Sequence, residues 1–226
     1  MGITRGPNIV TDGLVFAVDA ANPSSYVSGS GVWKDHTVNQ NNGTLTNGPT
    51  FDSSNGGSIV FDGVNDYVDF GTNTIGILDE FTVSTWIYFN TLSSYRTWFS
   101  YGGYVTGGFL LQRHGETGTD LRWAYNGTVL KDGPTFTTTE AWTNIVCTGG
   151  SGKNIIWYVN NTQTIVSGVV SSFSATSAKK TEIGRRADTS TQEIDGNIGP
   201  VHIYNRALSA EEVAQNYNAL KGRFGL

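Results

Sequence analysis

The 226-residue sequence holds one cysteine, one methionine and five prolines. The lone Cys147 excludes an intramolecular disulfide framework and any multi-cysteine zinc site. It sits in an apolar run, as a small core residue does. Charge is scarce too: 14 basic and 19 acidic residues make up 15% of the chain, against about 25% in ordinary soluble domains. Long helices need charged outer faces, so a helical bundle or coiled coil is excluded. The net charge is −5, and no like-charge run exceeds the pairs Lys179-Lys180 and Arg185-Arg186. That excludes a nucleic-acid footprint, and both pairs read as solvated strand ends. No stretch approaches the ~18 continuous apolar residues of a membrane span, so no membrane partner is expected. The opening Met1-Gly2-Ile3-Thr4-Arg5-Gly6-Pro7 lacks the apolar centre of a secretory leader, and classical secretion is not expected. Asn42-Gly43-Thr44, Asn126-Gly127-Thr128 and Asn160-Asn161-Thr162 therefore read as turns rather than glycosylation sites.

What the chain has is glycine and aromatic rings: 29 Gly, 6 Trp, 10 Tyr and 11 Phe. The rings suffice for a buried core, and the glycines, with many Thr and Asn, favour strands and tight turns. Short β-branched or aromatic runs recur every dozen or so residues, closed by Gly, Asn, Asp or Pro. Phe81, Val83, Thr85, Ile87 and Phe89 alternate with Thr82, Ser84, Trp86 and Tyr88, which predicts one inward and one amphipathic face. Ile59–Phe61 and Tyr67–Phe70 flank the corner Asp62-Gly63-Val64-Asn65-Asp66 and read as a hairpin. Trp142–Thr148 and Ile155–Val159 read as a second hairpin across 149–154. Its Gly150-Ser151-Gly152-Lys153 lacks the remaining positions of a phosphate loop. No helical pattern separates the strands, so parallel βαβ units are excluded. The fold class is all-β, an antiparallel β-sandwich with one short C-terminal helix. That helix opens on the capping box Ser209-Ala210-Glu211-Glu212, buries Val213, Tyr217 and Leu220, and ends at Lys221 with Gly222 as left-handed cap. The domain runs over 13–221, between an N-terminal arm at 1–12 and a C-terminal tail at 222–226. Phe224-Gly225-Leu226 is read as a free tail or a partner contact.

Two stretches then carry a resemblance. Ser58-Ile59-Val60-Phe61-Asp62-Gly63-Val64-Asn65-Asp66-Tyr67-Val68 and the block from Ile194 to Ser209 resemble the two signature blocks of laminin-G-like jelly-roll domains, within the concanavalin A-like lectin and glucanase superfamily. The opening Gly13–Tyr26, preceded by Gly6–Val10, resembles the start of such domains in tailed-bacteriophage virion proteins. The resemblance implies a jelly roll made in a bacterial cytoplasm and displayed on the virion surface. Its partners would be other capsid or tail proteins, with further copies in a homo-oligomer.

Glucanases of this fold carry a Glu-x-Asp-x-(x)-Glu strand. Glu193-Ile194-Asp195 supplies its first half, but Asn197 and Ile198 stand where the second carboxylate belongs, so no enzyme is expected. His36, His114 and His202 are scattered and read as surface or strand residues. Carbohydrate binding would use aromatic faces, and Trp98, Tyr101, Tyr104, Trp123 and Tyr125 are the candidates from the glycine-rich middle, with core packing as the alternative. Trp33, Trp86, Trp142 and Trp157 suit core roles. Some relatives bind Ca²⁺ at a sheet edge, and Asp62, Asn65 and Asp66 offer oxygens within one turn. Asp195 and Asn197 would join them if the two blocks meet.

Overall fold

The computed structural model describes residues 7–226 except 73, 77, 93–94, 106, 116–119 and 176–178, and of 165–167 only the backbone. Residues 1–6 of the expected arm lie outside it. Two antiparallel sheets of eight strands each form a sandwich. The first runs β14 (Thr162–Val170), β13 (Lys153–Val159), β12 (Trp142–Gly150), β7 (Glu80–Phe89), β16 (Asp195–Tyr204), β5 (Ser58–Asp62) and β4 (Thr50–Asp52). β1 (Leu14–Val18) also pairs with β16. The second runs β11 (Val129–Thr135), β10 (Asp120–Tyr125), β9 (Phe109–Arg113), β8 (Arg96–Tyr101), β15 (Lys180–Ile183), β6 (Tyr67–Thr72), β3 (Gly43–Thr46) and β2 (Val32–Trp33).

Period-two alternation builds the core. Phe81, Val83, Ile87 and Phe89 of β7 point inward as predicted. Phe81 stacks on Trp123 of the opposite sheet at 5.8 Å between ring centroids, and Trp98 meets Trp157 edge-on at 6.5 Å. The other face of β7 is also buried at Thr82, Ser84 and Trp86, because the C-terminal segment covers it. The hairpin β12–β13 forms as predicted and closes through Ser151-Gly152.

The corner 62–66 is not a hairpin. β5 and β6 lie in different sheets, so the corner carries the chain across the sandwich, and Ile59 and Phe61 face Val68 and Phe70 from opposite walls. Two rows of large apolar residues both seeking the core are buried better by opposed sheets than side by side.

The helix α1 (Ala210–Leu220) has its capping box: Ser209 Oγ accepts from Glu212 N–H at 3.3 Å, and Glu212 Oε2 from Ser209 N–H at 2.9 Å. Val213 is buried as read, while Tyr217 and Leu220 are half-buried. Asn216, absent from the predicted stripe, is buried and accepts from the Val10 N–H at 2.7 Å. Gly222 is not the cap: the chain continues into a 3₁₀ turn, Lys221–Phe224, and the left-handed residue is Gly225, φ 78°.

Neither end is loose among the described residues. Residues 8–12 lie along α1, with Val10 packed beside Tyr204 and Val213 and the Tyr204 hydroxyl donating to Val10 O at 3.0 Å. Phe224 stacks on Trp86 at 4.2 Å, and Arg223 grips Asp19 with two hydrogen bonds of 2.8 and 2.9 Å. The tail reading of Phe224 is thereby corrected. An aromatic ring this close to an indole gains more from burial than from water.

Candidate functional site

The outward parity of the second sheet gives the site. On β10, Leu121, Trp123 and Tyr125 face the core, so Arg122 and Ala124 face out. Across the pairing Arg122↔Gln112 and Ala124↔Leu110, β9 adds Leu110 and Gln112 to the same face. Tyr95, just before β8, and Tyr104, just after it, flank this surface as half-buried rings. Arg186 and Gln192, from the loop after β15, complete a groove of about 300 Å³.

Each group in the groove is held. Thr97 Oγ1 donates its one proton to Gln192 Oε1 at 3.0 Å, with Gln112 Oε1 3.4 Å from the same oxygen, and the two amide NH₂ ends are left to donate. Arg122 makes a bidentate pair with Asp132, and Arg186 another with Asp188 at 2.6 and 2.7 Å. The Asp132 carboxylate raises the Arg122 guanidinium further above its already high value. Both cations are thus present but neutralised. The Arg186 guanidinium lies 5.8 Å from the Tyr104 ring centroid. This approach needs a glycine next door. Gly103 has φ 73°, and a Cβ there would stand 2.0 Å from Asp188.

The aromatic candidates separate by parity. Trp98, Tyr101, Trp123 and Tyr125 are core residues and present no face to a ligand, which corrects that reading. Only Tyr104 lines the groove. Tyr95, Gln112, Arg122, Arg186 and Gln192 were missed, although the apolar-polar alternation of Leu121-Arg122-Trp123-Ala124-Tyr125 carries the signal.

The calcium candidates do meet. Asp195 pairs with Asp62 across β16 and β5. Buried Asp66 Oδ1 has no hydrogen-bond partner, but the other candidate oxygens are engaged separately. Asp195 accepts from Asn90 at 2.8 Å and Thr91 at 2.9 Å, Asp62 from Val64 N–H at 2.9 Å, and Asp66 from Asp62 N–H at 3.1 Å. Asn197 donates to Ser58 and Asp52, and exposed Asn65 holds Asn47 through its backbone carbonyl. Burial pushes the Asp66 carboxyl above the usual range. Among the described residues no three carboxylate, imidazole or thiol groups converge to hold a metal ion. These side chains do not fit the calcium reading; they fasten a corner.

A larger cavity, about 440 Å³, lies on the outer face of the first sheet, between β1, the loop at 36–38 and the end of α1. It offers no aromatic platform. His202 lies on its wall and is only 6% exposed. Burial, with lesser repulsion from His36 and Arg223, outweighs Asp19 and holds the imidazole down at about 4. The unfolded imidazole binds its proton below about 6.5, the folded one only below about 4. Stability is therefore expected to fall as pH drops through that window, by up to about 3 kcal/mol from this group. Urea unfolding of wild type and His202→Gln at pH 7 and 4.5 checks it, since the difference between the two proteins should shift toward the variant at the lower pH.

Residues 62–214, about two thirds of the chain, match the laminin-G profile described as the concanavalin A-like lectin/glucanases superfamily. No curated protein sequence matches. Domain 4 of the extracellular arabinanase AbnA from Geobacillus stearothermophilus, solved in complex with arabinotriose, superposes with a TM-score of 0.70. It shows 18% identity over 91% of this chain and 98% of that one. The binding domain of Paraclostridial Mosquitocidal Protein 1 gives 0.71 and 16% over 92% of this chain and 52% of that one. Trypanosoma rangeli sialidase in complex with sialic acid gives 0.67 and 15% over 95% of this chain but 34% of that one, so the chain spans about a third of its length.

Proposed function

The chain belongs to the concanavalin A-like lectin/glucanase superfamily, and on that premise we propose that it is a non-catalytic carbohydrate-binding module whose ligand lies in the groove between Tyr95 and Tyr104. The observation that carries the reading is the pairing of two half-exposed phenol rings with amide donors at Gln112 and Gln192. Rings cover the apolar face of a sugar, and fixed polar groups select its hydroxyls. The bidentate carboxylates on Arg122 and Arg186 cancel the charge of the groove, which favours a neutral glycan over an acidic one. The arabinotriose-bound domain of similar fold and length supports the ligand class. The non-catalytic reading is supported by the engagement of Asp132 and Asp188, the carboxylates on the groove's arginines among the described residues, each held bidentately, whereas glycoside hydrolysis uses a pair free to act on the glycosidic bond.

Affinity electrophoresis through gels containing neutral arabinan, arabinoxylan or β-glucan tests the reading, with polygalacturonate as the acidic comparison. Wild type is expected to be retarded in at least one neutral gel, and Tyr104→Ala to weaken that retention by about tenfold, the equivalent of ~1.4 kcal/mol. Equal retention of wild type, Tyr95→Ala and Tyr104→Ala would remove the groove from the account.

A finer reading places the module on the outside of a phage particle, as one of several copies held by capsid or tail proteins. The opening stretch Gly13–Tyr26 supports it. Residues 8–12 and Phe224 are engaged within the fold, so attachment would use other surfaces. Recovery of the chain from purified virions at a fixed copy number tests this; its absence from them argues for a free lectin.

A further inference from the structure

Parity also explains the cavity on the first sheet. Val201 and Ile203 of β16 enter the core, which turns His202 outward, opposite Ala17 of β1. Ile9, Leu14, Ala17, Val18, Val38 and Leu220 give the cavity apolar walls. Its volume, about 440 Å³, lies within the range of small-molecule sites. Into this space the fold places a nearly buried imidazole whose ring nitrogens make no hydrogen bond among the described residues. The ring opens on the cavity, so a polar group that enters there can pair with it.

We infer that this cavity binds a small neutral amphiphile, an aliphatic or alicyclic body carrying one hydroxyl or primary amide that pairs with His202. The apolar walls set the body of the ligand. The imidazole, neutral in this setting, presents either an N–H donor or a nitrogen acceptor to the cavity, and a hydroxyl or amide can pair with whichever faces it. Asp19 does not call for a cation, because Arg223 already holds both of its oxygens. That pair leaves the cavity without net charge, so an ion would lose its hydration for no counter-charge. The ligand is distinct from the glycan of the groove, which lies on the other sheet.

Cyclohexanol is the probe, with cyclohexanecarboxylate and cyclohexylammonium as charged analogues of the same ring. Protein labelled with ¹³C at histidine and alanine is titrated at pH 7 and followed by NMR. The expected result is a saturable shift of the His202 and Ala17 signals with a Kd on the order of 1 mM, and intermolecular NOEs to the Ala17 methyl. The charged analogues should give less than a tenth of that affinity. Ala17→Leu, which fills the cavity, should abolish the shift while His114 stays unmoved, and the wild-type NOEs decide the matter if that variant does not fold. No saturable His202 shift up to the solubility of cyclohexanol would overturn the inference. So would equal binding of the charged analogues, or binding that persists in folded Ala17→Leu.

Discussion

Replacing Phe224 with alanine is expected to lower the unfolding free energy by about 3–4 kcal/mol, as for other buried phenylalanines. Its ring is 7% exposed, 4.2 Å from the Trp86 centroid and 4.7 Å from that of Trp142. Trp86 is in turn stacked on Tyr217 of α1, so one ring clamps the helix, the last turn and the outer face of β7 together. Gly199 leaves room for this slab, since a Cβ there would press within 3.4 Å of Phe224 and Trp142. Urea unfolding followed by tryptophan fluorescence measures the loss. Leu226→Ala, 49% exposed at the terminus, is the control and should stay within about 0.5 kcal/mol of wild type. A Phe224→Ala protein equally stable would mean that the last turn is not part of the folded unit.

Glu182→Ala should cost as much or more, about 3–5 kcal/mol, because it strands the buried Arg185 guanidinium rather than merely removing a contact. Glu182 is fully buried in the middle of the second sheet. Its two oxygens accept from Arg185 Nε at 2.8 Å and Nη2 at 3.0 Å, and Lys180 Nζ lies 2.6 Å away. The Arg185 guanidinium also lies 3.3 Å over the Tyr67 ring, which holds it in this position. Glu182→Gln keeps the shape and one acceptor and should lose less. Thermal unfolding of the three proteins ranks them. A Glu182→Ala protein as stable as wild type would show that water reaches the cluster.

That cluster also shows where sequence reading stops. Lys180 and Arg185 look like solvated strand ends: Glu182 is their neighbour along the chain, but its burial between β6 and β8 and the approach of Asp69 follow only once β15 pairs with those strands. Features written into local spacing were legible: the inward face of β7, the β12–β13 hairpin and the Ser209–Glu212 capping box. Alternation says which residues share a face but not which sheet the strand joins. Thus Ile59–Phe61 and Tyr67–Phe70 passed for one hairpin. The short β2, β3 and β4, of two to four residues, carry too little alternation to be seen at all.

The candidate site was legible only in part, and for a reason visible in β10. Choosing by ring type selected Trp123 and Tyr125, while their shared parity with Leu121 already committed them to the core. The intervening residues, Arg122 and Ala124, make the surface. Tyr95 was invisible as a site residue because it lies outside any strand, and its place beside Arg122 is set by the pairing of β8, β9 and β10. The engagement of Asp195 by Asn90 and Thr91 was likewise beyond local spacing, since those partners come from the turn after β7.

The central claim, that a neutral glycan occupies the groove of the second sheet, is tested most directly by a footprint. Backbone-assigned, ¹⁵N-labelled protein titrated with arabinotriose, or with the glycan that retards it most in gels, should show saturable shifts concentrated at Tyr104, Leu110, Gln112, Arg122, Ala124 and Gln192. Ala17 and His202, on the opposite sheet, should not move. Saturable shifts confined to the first sheet or to the 62–66 corner would contradict the account, as would no response to any neutral glycan at millimolar concentration.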